Sequence, residues 1–285
     1  MKFLLFFASL WWFEAQAELV SDSIMIEGHY RTFHYQQPAG SSKFRSLMFI
    51  LHGSGGKGQD MVKPAAALQA VSVSEKVLLV FPDAYLHFWN ECRRKSNAVA
   101  NLENINENEF FNQMILYFQK RFNIDQRRVF VCGMSGGGHM SYKLGLTSPE
   151  KFRAIGAVVA NLPDSASSDC IAAGIAKPVI IINGTADQTN PYNGGEMFVN
   201  NASFGVVRSS DQTFKYWASL ANYAGEPLHR ILRDKDTTDN EQIETYQYRE
   251  RGKPELILYK IVNGKHAFPH GIDAYLTIWK FFKEQ

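Results

Sequence analysis

The sequence predicts an α/β fold, with a mostly parallel central sheet and helices on both faces of that sheet. Short apolar segments alternate along the chain with longer segments whose apolar residues recur at helical spacing. This alternation is the signature of a sheet that helices cover on both sides. Chemistry in such folds lies in loops beyond the carboxyl ends of the strands, and several apolar segments here lead into glycine-rich or polar loops.

Composition and charge narrow the class of protein. The chain has 285 residues, of which 45% are hydrophobic and 20% charged, as in ordinary globular proteins. Its formal net charge of +2 gives no argument for a nucleic-acid partner. No internal repeat, low-complexity tract or long linker divides the chain, so we expect one domain after the N-terminal segment.

The first 17 residues predict a cleaved secretory signal peptide. Lys2 precedes an eleven-residue apolar run from Phe3 to Phe13, and Ala15-Gln16-Ala17 matches the small-x-small pattern of a cleavage site. The run is too short to span a bilayer. We therefore expect a signal peptide over 1–17, a single domain over 18–285, and a secreted or periplasmic protein with no integral membrane segment after cleavage.

The three cysteines are interpreted for an oxidising compartment. Cys132 lies inside an apolar strand segment, so we expect a buried free thiol. Cys92 and Cys170 lie in polar loops and are candidates for a disulfide, with three free thiols as the alternative. No two cysteines are close in sequence, so their spacing does not predict a metal site.

Apolar character and turn residues locate the strands. The two N-terminal strands are joined by a turn at Glu27-Gly28-His29-Tyr30, and Pro82-Asp83 ends the fourth. The others are continuous apolar runs of the kind that a sheet buried on both faces requires. In chain order the predicted strands are 23–26, 31–35, 46–51, 77–81, 129–132, 155–159, 179–182 and 256–261.

Helical spacing and capping residues locate the helices. Pro64 lies near the start of the first, where proline is tolerated. Phe110, Met114 and Phe118 repeat at helical spacing in the second. Ser209 and Gln212 form a capping-box pattern before the fourth. The predicted helices are 60–73, 106–122, 137–146, 211–223 and 271–282.

The loop after the strand 46–51 supports three interpretations. Gly53, Gly55 and Gly58 match G-x-G-x-x-G, the spacing of a dinucleotide fingerprint, and the acidic Asp83 ends the next strand. Alternatively, the His52-Gly53-Ser54 sequence is an oxyanion loop whose Ser54 N–H faces developing negative charge. The third interpretation is a tight turn that needs glycine.

The loop after the strand 129–132 predicts a nucleophile. Gly133-Met134-Ser135-Gly136-Gly137 matches G-x-S-x-G, with a strand before it and a helix after it. That motif requires a serine on a strained turn, and small residues on either side let the strand and helix pass closely. We expect Ser135 to be the nucleophile and the Gly136 N–H to join that of Ser54 in an oxyanion hole.

A serine nucleophile needs a base, and the base needs a carboxylate to orient it. Asp187 is the first carboxylate after the downstream strand 179–182; Asp164 and Asp169 are rivals in a polar loop that ends no such strand. His266 follows the strand 256–261 most closely, and His270 is its alternative. Serine, acid and histidine thus each follow a strand, in the chain order Ser, Asp, His.

These motifs resemble a known family. HGSGG, RRVFVCGMSGGGHMSYKL, PVIIINGTADQTNPYNGG and NGKHAFPHGID are similar to segments of secreted polyhydroxybutyrate depolymerases and feruloyl esterases of the α/β-hydrolase fold. The resemblance covers nearly all of the chain after the signal segment. It implies the same nucleophile, acid, base and oxyanion hole, and it implies Trp89 and Asn90 as candidates for the wall of the substrate cleft.

The sequence departs from that family in two places. Phe268-Pro269 stands where the family often has Trp-Pro after the catalytic histidine. Glu91-Cys92-Arg93-Arg94-Lys95 replaces an acidic-glycine continuation. We interpret this basic cluster as a solvated loop, with a role in favouring an acidic or carboxylate-bearing substrate at the cleft mouth as the alternative.

The expected function is hydrolysis of carboxylic esters through a Ser-His-Asp triad and an acyl-enzyme. The substrate would be a small or oligomeric ester, and the reaction would need no metal or organic cofactor. Two alternatives stay open. One is a nucleotide-binding oxidoreductase that uses the Gly53–Gly58 loop. The other is a non-catalytic secreted binding protein on a hydrolase scaffold.

Overall fold

The computed structural model describes residues 18–37, 44–199, 201–233 and 240–285. The predicted signal peptide over 1–17 lies outside the described residues. Within these ranges, no helix is both long enough and apolar enough to cross a bilayer.

A ten-stranded mixed sheet forms the centre of the molecule. Its strand order is β1-β2-β4-β3-β5-β6-β7-β12-β11-β10, and the six strands from β4 to β12 in that order run parallel. The two N-terminal strands and the pair β10–β11 extend it with antiparallel edges. The strands are β1 Glu18–Ile26, β2 His29–Gln37, β3 Ser46–Leu51, β4 Val77–Pro82, β5 Val129–Met134, β6 Ala154–Val158, β7 Val179–Gly184, β10 Leu228–Ile231, β11 Gln242–Tyr248 and β12 Leu256–Val262. A separate antiparallel hairpin consists of β8 Gly195–Val199 and β9 Ala202–Val207.

Helices cover both faces of the sheet, as predicted. They are α1 Ala66–Ser72, α2 Val99–Leu102, α3 Glu107–Phe122, α4 Gly136–Thr147, α5 Ser210–Leu220 and α6 Ala274–Phe282. The capping box of α5 is present, since Ser209 Oγ accepts from the Gln212 N–H at 3.0 Å.

Three predicted helix boundaries were wrong for local reasons. The segment 60–73 is not one helix: a 3-10 turn covers Gly58–Met61, and Pro64 lies in the turn before α1. α5 ends early because Asn222 has a left-handed φ of 54°. α6 starts late because Asp273 caps it, its Oδ1 accepting from the Leu276 N–H at 2.7 Å.

The sheet separates two apolar clusters, and β3 shows how. Leu47, Phe49 and Leu51 point into the cluster packed under α3, α4 and α5, whereas Met48 and Ile50 point into the cluster under α1 and α6. All five side chains are fully buried. A strand buried on both faces is continuously apolar rather than alternating, which is why β3 was recognisable from sequence.

The cysteines behave as expected. A disulfide joins Cys92 to Cys170, with 5.1 Å between the Cα atoms, and Cys132 is a buried free thiol. Burial raises the pKa of the Cys132 thiol well above its ordinary value. A thiol held neutral in this way is a poor nucleophile, so Cys132 belongs to the core.

Candidate active site

Ser135 occupies a strained turn between β5 and α4. Its backbone φ is 53° and ψ is −118°, outside the regions that residues with side chains favour. The Ser135 N–H donates to the Val158 carbonyl at 2.8 Å, and the Ser135 carbonyl accepts from the His139 N–H at 3.0 Å. These two bonds attach the turn to the neighbouring strand β6 and to the helix that it starts.

Glycines on both sides make this turn possible. A Cβ on Gly133 would lie 2.4 Å from the Gly137 carbonyl carbon, and one on Gly137 would lie 2.4 Å from the Leu51 carbonyl oxygen. No side chain fits at either position without moving backbone atoms. The G-x-S-x-G spacing therefore reflects direct backbone packing between β3, β5 and α4.

The structure brings together the three side chains that the sequence selected. His266 Nδ1 lies 2.7 Å from Asp187 Oδ2, and His266 Nε2 lies 3.0 Å from Ser135 Oγ. The Ser135 and Asp187 residues are 8% and 6% exposed. Asp187 follows β7 and His266 follows β12, and the parallel run β5-β6-β7-β12 delivers all three loops to one edge of the sheet. The arrangement suits proton transfer from the serine to the imidazole.

The rival residues lie elsewhere. Asp164 Oδ1 accepts from the Ser167 N–H at 2.7 Å within its own loop. The Asp169 N–H donates to the Cys92 carbonyl beside the disulfide. His270 is exposed, and its backbone N–H donates to Glu241 Oε2 at 3.2 Å. None of these three residues contacts Ser135 or His266.

The Ser54 and Gly136 backbones meet beside Ser135. A Cβ on Gly136 would lie 2.9 Å from the Ser54 nitrogen, so the two segments are in direct contact. In the described part of the chain, neither N–H has a hydrogen-bond acceptor. The first turn of α4 also begins at Gly136, and a helix N-terminus attracts negative charge. The site thus offers unpaired donors next to the serine hydroxyl.

His52 holds the glycine loop in shape. Its Nδ1 lies 2.7 Å from the Gly53 carbonyl, and its Nε2 accepts from the Ala84 N–H at 3.0 Å. Burial lowers the pKa of His52, so the ring stays neutral and Nε2 remains an acceptor. The His87 carbonyl accepts from the Gly55 N–H at 2.9 Å. This bond connects the turn at residues 85–88 to the glycine loop.

The geometry of this loop does not suit a dinucleotide. The α-helix that would receive a pyrophosphate begins at Ala66, well beyond Gly58. The Asp83 carboxylate, which would bind a ribose, instead accepts from the Gly58 N–H at 2.7 Å and the Thr32 hydroxyl at 2.6 Å.

Trp89 and Asn90, the candidates for the cleft wall, are both buried. They are 3% and 5% exposed. Trp89 Nε1 donates to the His52 carbonyl at 2.9 Å, and Asn90 Nδ2 donates to the Ile105 carbonyl at 2.9 Å. Both side chains therefore lie beneath the surface, where Trp89 supports the glycine loop from below. The polar surroundings of this segment in the sequence concealed its burial, and a role in the cleft wall stays a prediction.

The basic cluster is only partly solvated. Arg94 and Lys95 are exposed, but Arg93 is 1% exposed. Arg93 Nε donates to Glu91 Oε1 at 2.7 Å, and its guanidinium lies 4.9 Å from the centroid of the Phe204 ring. The expectation of a solvated loop was wrong for Arg93, because an adjacent carboxylate neutralises its charge and a ring covers it.

Two cavities flank the turn at residues 85–88. One, of about 450 Å³, lies on the β2 side; its lining includes the polar or charged side chains of Thr32, Lys57, Gln59, Asp83 and His87. The other, of about 280 Å³, is mostly apolar; its lining includes Leu86, Phe88, Val99, Val199 and Phe204. We call the second one the hairpin cavity, since β8 and β9 form one of its walls.

The hairpin cavity lies between the loops that follow β4 and the hairpin that follows β7, and its lining includes none of Ser135, Asp187 and His266. Leu86 and Phe88 follow β4, whereas Val199 and Phe204 belong to the hairpin that follows β7. In the sheet, the strands β3, β5 and β6 lie between β4 and β7. Sequence reasoning missed this hairpin because its short strands alternate in burial and carry no continuous apolar run.

Comparisons with known proteins come from both sequence and structure. No family model matches the chain. A protein named "Putative esterase NocK", from Nocardia uniformis subsp. tsuyamanensis, is 22% identical over 183 residues, which are 63% of this chain and 52% of that protein. The match thus spans about half the length of this curated relative.

Solved structures match over nearly the whole chain. An acetyl xylan esterase from Aspergillus awamori superposes with a TM-score of 0.61 at 14% identity, covering 93% of this chain and 100% of that one. The CE1 ferulic acid esterase AmCE1/Fae1A from Anaeromyces mucronatus gives a TM-score of 0.56 at 15% identity, covering 94% and 89%. A second structure of that esterase is a complex with ferulic acid. The predicted α/β-hydrolase fold is confirmed.

Proposed function

We propose that this protein is a serine esterase that hydrolyses carboxylic esters, with Ser135 as nucleophile, His266 as base and Asp187 as the acid that orients it. The observation that carries the proposal is the continuous chain from Asp187 Oδ2 through both His266 nitrogens to Ser135 Oγ, at 2.7 and 3.0 Å. The esterase names of the structural and sequence relatives support the same chemistry.

Acylation would start from the neutral imidazole. With Nδ1–H donating to Asp187, Nε2 accepts the Ser135 proton as Oγ forms a bond to the ester carbonyl carbon. The carbonyl oxygen becomes an oxyanion. Collapse of this intermediate breaks the bond to the alkoxide oxygen, which takes the proton from Nε2 and leaves as an alcohol. Asp187 stabilises the imidazolium that exists between these two steps.

Deacylation repeats the sequence with water. His266 Nε2 takes a proton from water as its oxygen attacks the acyl carbon, and the serine oxygen recovers that proton as the acid leaves. We propose that the Ser54 and Gly136 N–H groups stabilise the oxyanion in both halves. Donors already aimed at the developing charge need no reorganisation during the reaction.

The hairpin cavity supports a proposal for the substrate. An apolar cleft with few polar groups favours an apolar part of a ligand, so we propose that the hydrophobic part of the ester occupies it. Acetyl and feruloyl esters are the first candidates, because relatives with those names share the fold. A panel of short p-nitrophenyl esters, methyl ferulate and hydroxybutyrate oligomers, compared by kcat/KM, tests this choice.

The location and extent of the enzyme are also part of the proposal. The Cys92–Cys170 disulfide supports export to an oxidising compartment, as the predicted signal peptide over 1–17 requires. We propose that residues 18–285 form the single catalytic domain of a secreted or periplasmic enzyme. Detection of a mature N-terminus at residue 18 after expression in a secreting host would support this.

Replacing Ser135 by alanine tests the nucleophile. Ser135→Ala should lower kcat for p-nitrophenyl acetate by about 10⁴-fold or more, because no other group can form the acyl-enzyme. The melting temperature should stay close to that of the wild type, since the change only removes a hydroxyl group. Wild-type turnover in the folded variant would contradict the assignment.

Two further measurements separate the alternative functions. A fluorophosphonate probe should label wild-type protein at Ser135 and fail to label Ser135→Ala; no labelling of the wild type would favour a non-catalytic binding protein. Titration with NAD(P)H, followed by fluorescence, should show no binding if the loop at Gly53–Gly58 serves the ester site.

A further inference from the structure

The acid loop between β7 and β8 is anchored by different means on its two sides. On the side that precedes Asp187, the backbone carries the contacts: the Thr185 N–H donates to the Ile261 carbonyl and the Ala186 N–H to the Gly264 carbonyl, each at 2.9 Å. These bonds tie the loop to the segment that bears His266. On the side that follows Asp187, a side-chain amide of the loop makes the connection, to the segment that follows β6.

Asn190 is the link on that second side. Its backbone N–H donates to Asp187 Oδ1 at 2.8 Å, alongside the Thr189 N–H at the same distance. Its side-chain Oδ1 accepts from the Asn161 N–H at 3.1 Å. Asn190 therefore binds Asp187 Oδ1 through its main chain. Its side chain binds Asn161, which follows β6.

Asn161 is itself held from two directions. Its Oδ1 accepts from Asn183 Nδ2 at 2.8 Å and from the Ser210 hydroxyl at 3.0 Å, and its Nδ2 donates to the Pro191 carbonyl at 3.2 Å. Asn183 in turn accepts from the Ala160 N–H at 3.0 Å. We call Asn161, Asn183, Asn190 and Ser210 the amide network; it joins β6, β7, the acid loop and the start of α5.

Every member of the amide network is buried, with exposures of 0% to 1%. A substrate cannot reach these side chains. In a low-dielectric interior their hydrogen bonds are strong and mutually dependent, so the network resists displacement of any one member. Its direct contact with the three residues of the site is the bond from the Asn190 N–H to Asp187 Oδ1.

The orientation of the Asn190 amide identifies the contact that matters. Within the described residues, Asn190 Nδ2 is buried without an acceptor. Rotating the amide by half a turn would place that donor against the Asn161 N–H, which is also a donor. The oxygen must therefore face Asn161, although this leaves a buried donor unpaired at a loss of stability.

We propose that Asn190, supported by the rest of the amide network, is a positioning residue that holds Asp187 Oδ2 against His266 Nδ1. This inference rests on the proposed function, since it assigns a role in the same triad. Two bonds to Asp187 Oδ1 and one to His266 leave the carboxylate a single orientation. Without the Asn190–Asn161 bond, the segment after Asp187 keeps the more distant bond from Asn161 Nδ2 to the Pro191 carbonyl but loses the attachment nearest to Asp187. The carboxylate can then rotate away from the imidazole.

The test compares Asn190→Ala with Asn190→Asp. The alanine variant removes the acceptor for the Asn161 N–H, whereas the aspartate variant keeps an oxygen there. Asn190→Ala should lower kcat by about 10- to 100-fold, as expected for a displaced catalytic group, and leave KM unchanged. It should also weaken the downfield NMR signal of the hydrogen-bonded His266 Nδ1 proton, identified by its loss in His266→Gln. Asn190→Asp should restore both kcat and the signal to near wild-type values.

A matched control separates positioning from stability. Asn108 is an asparagine of α3 whose Nδ2 donates to Thr147 Oγ1 at 3.0 Å, with no connection to the acid loop. Asn108→Ala should lower the melting temperature and leave kcat and the His266 signal unchanged. If folded Asn190→Ala behaves like this control, the network is only structural and the proposal is wrong.

The proposal can still be tested if Asn190→Ala does not fold or if the wild type hydrolyses no ester. If Asn190→Ala does not fold, Ser210→Ala takes its place, because it removes one donor to Asn161 Oδ1. A lower kcat with unchanged KM then supports the proposal, and a wild-type kcat and signal in a less stable protein overturn it. If the wild type hydrolyses no ester, the proposed function fails, but the His266 signal in the same variants still decides whether the network positions Asp187.

Discussion

The hydrogen-bond donors around a carboxyl group determine its pKa in this protein, and Asp83 is the example. Asp83 is half-buried, and burial alone would raise the pKa of its carboxyl group. The donors outweigh that effect: the His34 ring, the Thr32 hydroxyl and the Gly58 N–H hold the pKa of Asp83 well below its usual range. Asp83 is therefore an ionised anchor for the glycine loop, as its contact with Gly58 shows.

This anchor makes a prediction about stability and pH. A carboxyl whose pKa is depressed in the folded state stabilises the protein above its unfolded pKa, about 3.9 for aspartate, and the effect disappears as the pH falls through the folded value. Asp83→Asn should thus be less stable than the wild type near neutral pH, and the difference should shrink below about pH 4. Urea unfolding at several pH values measures it; a difference that does not change with pH would contradict the role.

At the scale of elements, the turn from β5 to α4 depends on how closely backbones can approach. Gly137 lies against the Leu51 and His52 carbonyls, where a Cβ would come within 2.4 and 2.7 Å. Gly145, two turns further along the same helix, would place its Cβ 2.6 Å from Ile155 Cδ1, the mobile end of a side chain. The two glycines look alike in sequence and differ in whether the neighbour can move.

Gly137 and Gly145 should respond very differently to one added methyl group. Gly137→Ala should lower the free energy of unfolding by about 3 kcal/mol or prevent folding, and it should abolish esterase activity, because the helix must shift away from β3. Gly145→Ala should change stability by about 1 kcal/mol or less and keep activity, because Ile155 can rotate and alanine favours helix. Urea unfolding and kcat/KM of both variants decide; equal losses in the two variants would contradict the packing argument.

At the scale of the whole molecule, the disulfide joins two loops that the sheet alone does not connect. Cys92 lies after β4 and Cys170 after β6, at a sequence separation of 78 residues. Around the bond, the Asp169 N–H donates to the Cys92 carbonyl at 3.1 Å and the Arg94 N–H donates to the Ser167 carbonyl at 2.9 Å. Arg93, the residue after Cys92, lies over the ring of Phe204, which lines the hairpin cavity.

Removing the cross-link should destabilise the protein as a whole. A bond that closes a loop of this length restricts the unfolded chain, and such disulfides contribute about 2–4 kcal/mol. The double variant Cys92→Ser/Cys170→Ser should therefore melt at a lower temperature than the wild type, and addition of a reductant should affect only the wild type. An unchanged melting temperature would contradict this prediction.

In the folded wild type, Cys132 should resist alkylation because it is buried.

Much of the fold and of the candidate site could be predicted from the sequence, because the relevant signals are local. The continuous apolar runs predicted the central strands, and helix boundaries shifted where a cap or turn intervened, as at Asp273 and Asn222. The two N-terminal strands are longer than predicted, because their alternating sequences give no continuous apolar run. The strands β8 to β11 were missed, since their sequences are mixed and β10 is fully exposed. Ser135, Asp187 and His266 were selected because each follows a buried strand, and a parallel sheet brings such loops to one edge.

By itself, the sequence determined which side chains stand at the carboxyl ends of the strands, and hence the chemistry available to the molecule. Only the tertiary structure decided that Trp89 and Arg93 are buried, that the hairpin closes an apolar cavity, and that Asn190 connects Asp187 to β6. The physical reason is the range of the interactions. Strand and helix periodicity depends on neighbouring residues, whereas burial and hydrogen-bond partners depend on residues that are far apart in the chain and meet only on folding.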